Sequence, residues 1–177
     1  MDNNKSDSQI KSWFLIHCVV YLSVCLSFSV YGQEALTFEQ FKVPEVADSP
    51  LKKVDFNSHP DGVFVEQKWQ WMKASVVGQQ ANFAGHFYIL STGCGTGCQF
   101  NVVVQVETGK IMDTLTSGLG LCYQADSDLL IMNPKLDGFA ENVPDWAYTY
   151  YYQFEEGKIN LLKKDQLGFD GTCDFGQ

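Results

Sequence analysis

The chain has 177 residues, 45% of them hydrophobic, with a formal net charge of −9. That is room for one packed domain, and too apolar a composition for wholesale disorder. All 12 basic residues are Lys and none is Arg. Phosphate neutralisation dominates nucleic-acid affinity and Arg reads guanine edges, so such a chain is a poor nucleic-acid binder, and attraction to anionic lipid is equally disfavoured.

The first element is a targeting segment. Lys5 and Lys11 precede an apolar run from Trp13 to Val30. Val30 and Gly32 are small enough for the −3 and −1 positions of a signal-peptidase site, so cleavage is expected after Gly32. An uncleaved anchor is the alternative, although His17 and several Ser residues weaken the run as a span. Lipoprotein processing at Cys25 is disfavoured by the bulk of Val24. Cleavage removes two Lys and two Asp and leaves 145 residues at the same charge of −9. The expected address is periplasmic or secreted, with membrane contact only through the segment before cleavage.

Four cysteines remain: Cys94, Cys98, Cys122 and Cys173. An even count in an exported chain implies two disulfides, for which three connectivities exist. The Gly-Thr-Gly spacer favours Cys94–Cys98, leaving Cys122–Cys173 to tie down the C-terminal tail.

Residues 33–60 carry Pro44, Pro50 and Pro60 and read as an extended lead-in. A single β-rich domain with a C-terminal tail is expected over 61–177. Val65, Trp69, Met72 and Val76 fall on one helical face, so a helix is expected over 62–77, with Asp61 as N-cap and Gly78 as the stop. Strands follow. Phe83–Ser91 is apolar on both faces, as a central strand would be. Gln99–Glu107 alternates, with Phe100, Val102, Val104 and Val106 on one side, which predicts a half-buried antiparallel strand. Lys110–Leu115, Leu129–Met132, Trp146–Phe154 and Ile159–Leu162 complete the set, separated by Thr108-Gly109, Asn133-Pro134 and Glu156-Gly157. The fold class predicted is α+β, mainly β: an antiparallel meander preceded by one helix.

Three stretches are distinctive. They are Asn82-Phe83-Ala84-Gly85-His86-Phe87, Gly93-Cys94-Gly95-Thr96-Gly97-Cys98-Gln99 and Thr108-Gly109-Lys110, followed by Asp126-Ser127-Asp128-Leu129-Leu130 and a late aromatic strand. Together they resemble a group of uncharacterised exported bacterial proteins with N-F-A-G-H-[YF] and G-C-G-T-x-C-Q patterns. The resemblance spans about 54–164 and implies export but no activity. Cys122 and Cys173 lie outside its pattern.

Several constellations bear on chemistry. Cys94 and Cys98 are spaced by three residues in a turn, where thiol–disulfide enzymes use two at a helix N-terminus, so a structural staple is expected over a redox site. His86 with Cys94 and Cys98 would supply three zinc-type ligands but no fourth, and neither a metal nor a cofactor is expected. His86 is a weak candidate acid or base near Asp126 or Asp128, with Ser91, Thr92, Thr96 and Ser127 as available hydroxyls and no G-x-S-x-G elbow. Tyr148, Tyr150, Tyr151, Tyr152 and Phe154 are core on one side and surface on the other. Asp165, Asp170 and Asp174 do not follow calcium-loop spacing. The functional expectation is a non-enzymatic binding or inhibitor-type module, presenting Gly95, Thr96, Gly97 and Tyr151 to an envelope protein or glycan. The alternatives are an envelope hydrolase centred on His86 and a structural envelope protein.

Overall fold

A computed structural model describes residues 35–70, 76–134, 148–166 and Cys173. The expected signal segment, Trp146 and the acidic tail beyond Asp165, apart from Gln166 and Cys173, lie outside the described residues. The architecture is mainly β: one helix and two antiparallel sheets among those residues. Strands β1 (Phe87–Gly95), β2 (Cys98–Gln105) and β3 (Ile111–Ser117) form the first sheet. Strands β4 (Leu121–Cys122), β5 (Leu129–Met132), β6 (Thr149–Glu155) and β7 (Lys158–Asp165) form the second. Each sheet is a meander in chain order, as short turns between successive antiparallel strands dictate.

The lead-in is part of the packed unit. Its backbone is tied on along its length, among other places by Val43 N–H to the Asp126 carbonyl, Ala47 to Gly85, Leu51 to Gln79, Lys52 to Val106 and Asp55 to Gly109. Leu51 and Val54 are buried by it. Helix α1 (Gly62–Trp69) follows; residues 71–75 lie outside the described set, and Val76 is helical again. Val65 and Val76 both enter the core, as their spacing required. Asp61 occupies the N-cap position but makes no capping bond. Its carboxylate instead accepts from the Thr114 hydroxyl at 2.9 Å, joining the helix start to β3. Gly78 stops this segment at φ +88°.

The register sorts β1–β3 into two faces. Leu90, Val102, Val104 and Ile111 pack under α1 and the lead-in with Leu51, Val54, Val65 and Val76. Ile89 and Val103, on the other face, meet Leu121, Leu130 and Phe154 of the second sheet. The far face of that sheet, with Leu129, Ile131 and Tyr151, is closed by Phe38 and by Cys173. The first sheet is thus an inner layer, and β2 is covered on both faces. The half-buried strand expected there is corrected: Asn101 and Val103 are both fully buried. Alternation of polar and apolar residues does not reveal that a second sheet covers the polar side.

Asn101 is tolerated there because its amide is satisfied. Nδ2 donates to the carbonyls of Gln99 and Leu115 and to the Ser117 hydroxyl, and Oδ1 accepts from the Ser91 hydroxyl at 2.6 Å. One side chain therefore bonds across all three strands of the sheet. Strand β1 begins at Phe87 rather than Phe83, because Phe83–His86 is a tight turn with Ala84 at φ +45° and Gly85 at φ +76°.

Candidate functional site

The two disulfides join Cys94 to Cys98 and Cys122 to Cys173, with Cα separations of 5.1 and 5.4 Å. The first closes the β1–β2 hairpin at its tip. Gly95, Thr96 and Gly97 project there and are exposed, with Gly95 at φ +138° and Gly97 at φ +63°. A Cβ at either glycine would meet nothing within 4 Å, so the glycines serve the backbone conformation and not a close approach.

Beside the tip, Gln99 of β2 pairs with Ser117 at the end of β3. A Cβ on Gly118 would lie 3.5 Å from the Gly97 carbonyl and 3.7 Å from Asn133 Oδ1. That Asn133 oxygen accepts from the N–H groups of Gly118 and Leu119, at 2.8 and 2.9 Å. Asn133 adopts φ +54°, a left-handed conformation that Asn tolerates better than most residues. Its own carbonyl accepts from the Thr149 hydroxyl at 2.8 Å. Read in sequence, Asn133-Pro134 is only a strand stop; that its amide anchors a distant turn carries no sequence signal.

His86 stands at the opposite end of β1, roughly 26 Å from Cys94 at about 3.3 Å per residue. A combined His86–Cys94–Cys98 centre is therefore not assembled, and both sulfurs are committed to each other. Among the described residues no group of three or more His, Cys, Asp or Glu is placed to hold a metal. The imidazole is 46% exposed, and Nδ1 meets Glu107 Oε1 at 2.5 Å. The predicted neighbours Asp126 and Asp128 are otherwise engaged: Asp126 lies 4.0 Å from Lys42, and Asp128 accepts from Gln153 Nε2 at 3.0 Å. Glu107 takes the place because Val106 N–H pairs with the His86 carbonyl and brings the next residue alongside. Of the expected hydroxyls, Ser127 is fully buried and donates to the Phe38 carbonyl, and Ser91 donates to Asn101.

Tyr151 is corrected as a surface contact. It is 4% exposed and packs with Phe38, Leu129 and Ile131. The neighbouring row on β6 is half-buried: Tyr150 and Tyr152 stack with centroids 6.2 Å apart, and the Lys164 ammonium sits 4.9 Å from the Tyr148 ring centroid. Those faces are already occupied. Burial pushes the Tyr152 phenol above its ordinary value, with a smaller contribution from Tyr150. A cleft of about 650 Å³ lies between the lead-in and Glu66, Val76 and Val77. Its charges, Lys52 and Lys53 against Asp55 and Glu66, balance.

The distinctive stretches of the sequence hold the fold together. Ala84 and Gly85 donate their N–H groups to the carbonyls of Ser127 and Ala125, locking the Asn82–Phe87 turn onto the Asp126–Leu130 stretch. Asn82 closes that turn, exchanging two hydrogen bonds with Ile89. Gly109 lies against the Lys53 carbonyl, where a Cβ would collide. No protein-family model, curated protein or solved structure matches the chain. The two disulfides fit an oxidising compartment, and no helix among the described residues is long and apolar enough to cross a membrane.

Proposed function

We propose that this chain is an exported, non-enzymatic binding module, freed of residues 1–32 and presenting the Cys94–Cys98 hairpin tip to an envelope protein or glycan. One observation carries the reading. Gly95, Thr96 and Gly97 are exposed on a loop whose two ends are joined by a disulfide. A loop fixed in advance loses little entropy on binding, which is what a recognition surface needs. The resemblance to exported bacterial proteins supports the same address. The test is retention of the exported chain on immobilised peptidoglycan sacculi and on immobilised envelope proteins. Thr96→Arg adds bulk and charge at the apex and is expected to lower retention about tenfold or more, with an unchanged melting temperature. Retention on neither matrix, or equal retention of the variant, rejects the proposal.

A second reading, a hydrolase centred on His86, is favoured by one feature. The exposed imidazole is oriented by Glu107 at 2.5 Å, the arrangement in which a carboxylate holds a histidine as base. Ester hydrolysis lost in His86→Ala and retained in Thr96→Arg would select it over the binding module.

A further inference from the structure

Strand β7 is an edge. It pairs with β6 on one side, and no described strand pairs with its other side. It is eight residues long, and Leu161 and Leu162 stand 56% and 42% exposed at its middle. An unpaired edge of this length, with apolar residues at its centre, is a template for a further strand.

The order of residues selects the occupant. Written against itself antiparallel about the Leu161–Leu162 step, the strand places Lys158 opposite Asp165 of a second copy, and by symmetry the reverse. Ile159 then faces Lys164, Asn160 faces Lys163, and Leu161 faces Leu162. The pleat agrees with this register. Lys158, Asn160, Lys163 and Asp165 oppose Glu155, Gln153, Tyr151 and Thr149, one face of β6, while Ile159, Leu161 and Lys164 oppose the other. The bulge at Leu162 supplies the change of parity that lets each residue meet one on its own face.

The cations do not forbid this pairing. Lys163 is already bound to Asp165 at 2.7 Å and Lys164 lies over Tyr148 at 4.9 Å. Among the described residues Lys158 makes no ion pair. Across the axis it would complete the Asp165 carboxylate, giving a Lys163–Asp165–Lys158 chain on each side.

We infer that β7 is a self-complementary dimerisation edge, joining two copies of this chain through an antiparallel β7–β7 pair into a continuous eight-stranded sheet. This surface is distinct from the hairpin tip and does not depend on its role. One strand pair buries a small area, so exchange between monomer and dimer is expected.

Sedimentation velocity on the chain as exported tests it. A dimer with a dissociation constant of about 1–100 µM is expected, the affinity range of a small interface. Lys158→Glu sets two carboxylates opposite each other and weakens the dimer about tenfold or more; Lys158→Gln removes the pair without repulsion and weakens it less. Leu162→Lys weakens it independently. Circular dichroism keeps loss of fold apart from loss of pairing. A wild-type chain that stays monomeric to about 200 µM, well above that range, overturns the inference. So does a dimer indifferent to Lys158→Glu and Leu162→Lys.

Discussion

Tyr123 packs edge-on against Phe83, with ring centroids 6.0 Å apart. Burial, and to a lesser degree the neighbouring Tyr88, pushes its phenol from the ordinary 10.0 up to about 12. The raised value means the fold favours the neutral phenol. Its contribution to stability is therefore complete below pH 10 and is lost as the pH rises from 10 through about 12, since the unfolded chain ionises first. Burial also raises the phenols of Tyr88 and Tyr152, so urea midpoints followed against pH, together with tyrosinate absorbance, should show late-titrating phenols, Tyr123 among them, coupled to that fall. Tyr123→Phe should remove one late phenol and flatten the fall; ionisation of every phenol near 10 in the folded protein would refute the packing. Asn133 is a second single-residue case. Its Oδ1 serves two backbone donors while its φ of +54° sits where most residues are strained. Asn133→Ala strands both N–H groups and should cost about 2–3 kcal/mol in urea unfolding. Asn133→Asp keeps the acceptor and should cost clearly less. Equal losses would mean that the bonds to Gly118 and Leu119 contribute nothing.

At the scale of elements, local periodicity was a good guide to type and a poor one to boundaries. Leu129–Met132 is observed with the ends expected of it, because an apolar tetrapeptide stopped by Asn-Pro leaves little latitude. Phe83–His86 is a turn despite its apolar character, because Ala84 and Gly85 take positive φ in order to donate to Ala125 and Ser127. Those acceptors lie some forty residues away, so no local pattern could reveal them. The N-cap position of Asp61 was readable and its bond was not: Thr114 competes for the carboxylate from another element. The two turn glycines differ in a way that mutation can read. Gly78 and Gly109 have φ of +88° and +75°, but only Gly109 faces a backbone carbonyl, that of Lys53. Gly78→Ala should cost about 1 kcal/mol for the conformation alone. Gly109→Ala adds a collision with backbone that cannot turn aside, and should cost about 2–4 kcal/mol. Equal costs would imply that the 52–55 segment moves freely off the turn.

For the molecule as a whole, the sequence pointed to a mainly β meander but not to its division into two stacked sheets. That division decides the candidate site. It buries Asn101, a polar residue between Phe100 and Val102, while Phe38 and Cys173 bury Tyr151 on the far side of the second sheet; the length of β1 separates His86 from the Cys94–Cys98 tip. The pairing of cysteines was legible from spacing, and the pairs do different work. Cys122–Cys173 closes a loop of 51 residues and fastens the C-terminal region against Phe38, Leu129 and Ile131, whereas Cys94–Cys98 spans four. On the chain-entropy account, loops of these sizes are worth about 4 and about 2 kcal/mol respectively. Replacing Cys122 and Cys173 together by Ser should therefore lower stability about twice as much as replacing Cys94 and Cys98 by Ser, measured by urea unfolding at matched m-value. If the hairpin tip is a presented loop, the recognition losses should run the other way. The Cys94/Cys98 double variant would stay folded and lose retention on the envelope matrices, because the Gly95–Gly97 backbone must then be ordered during binding. The Cys122/Cys173 variant, while still folded, would retain it. A tip variant that binds as well as the parent would show that the staple fixes the hairpin and nothing beyond it.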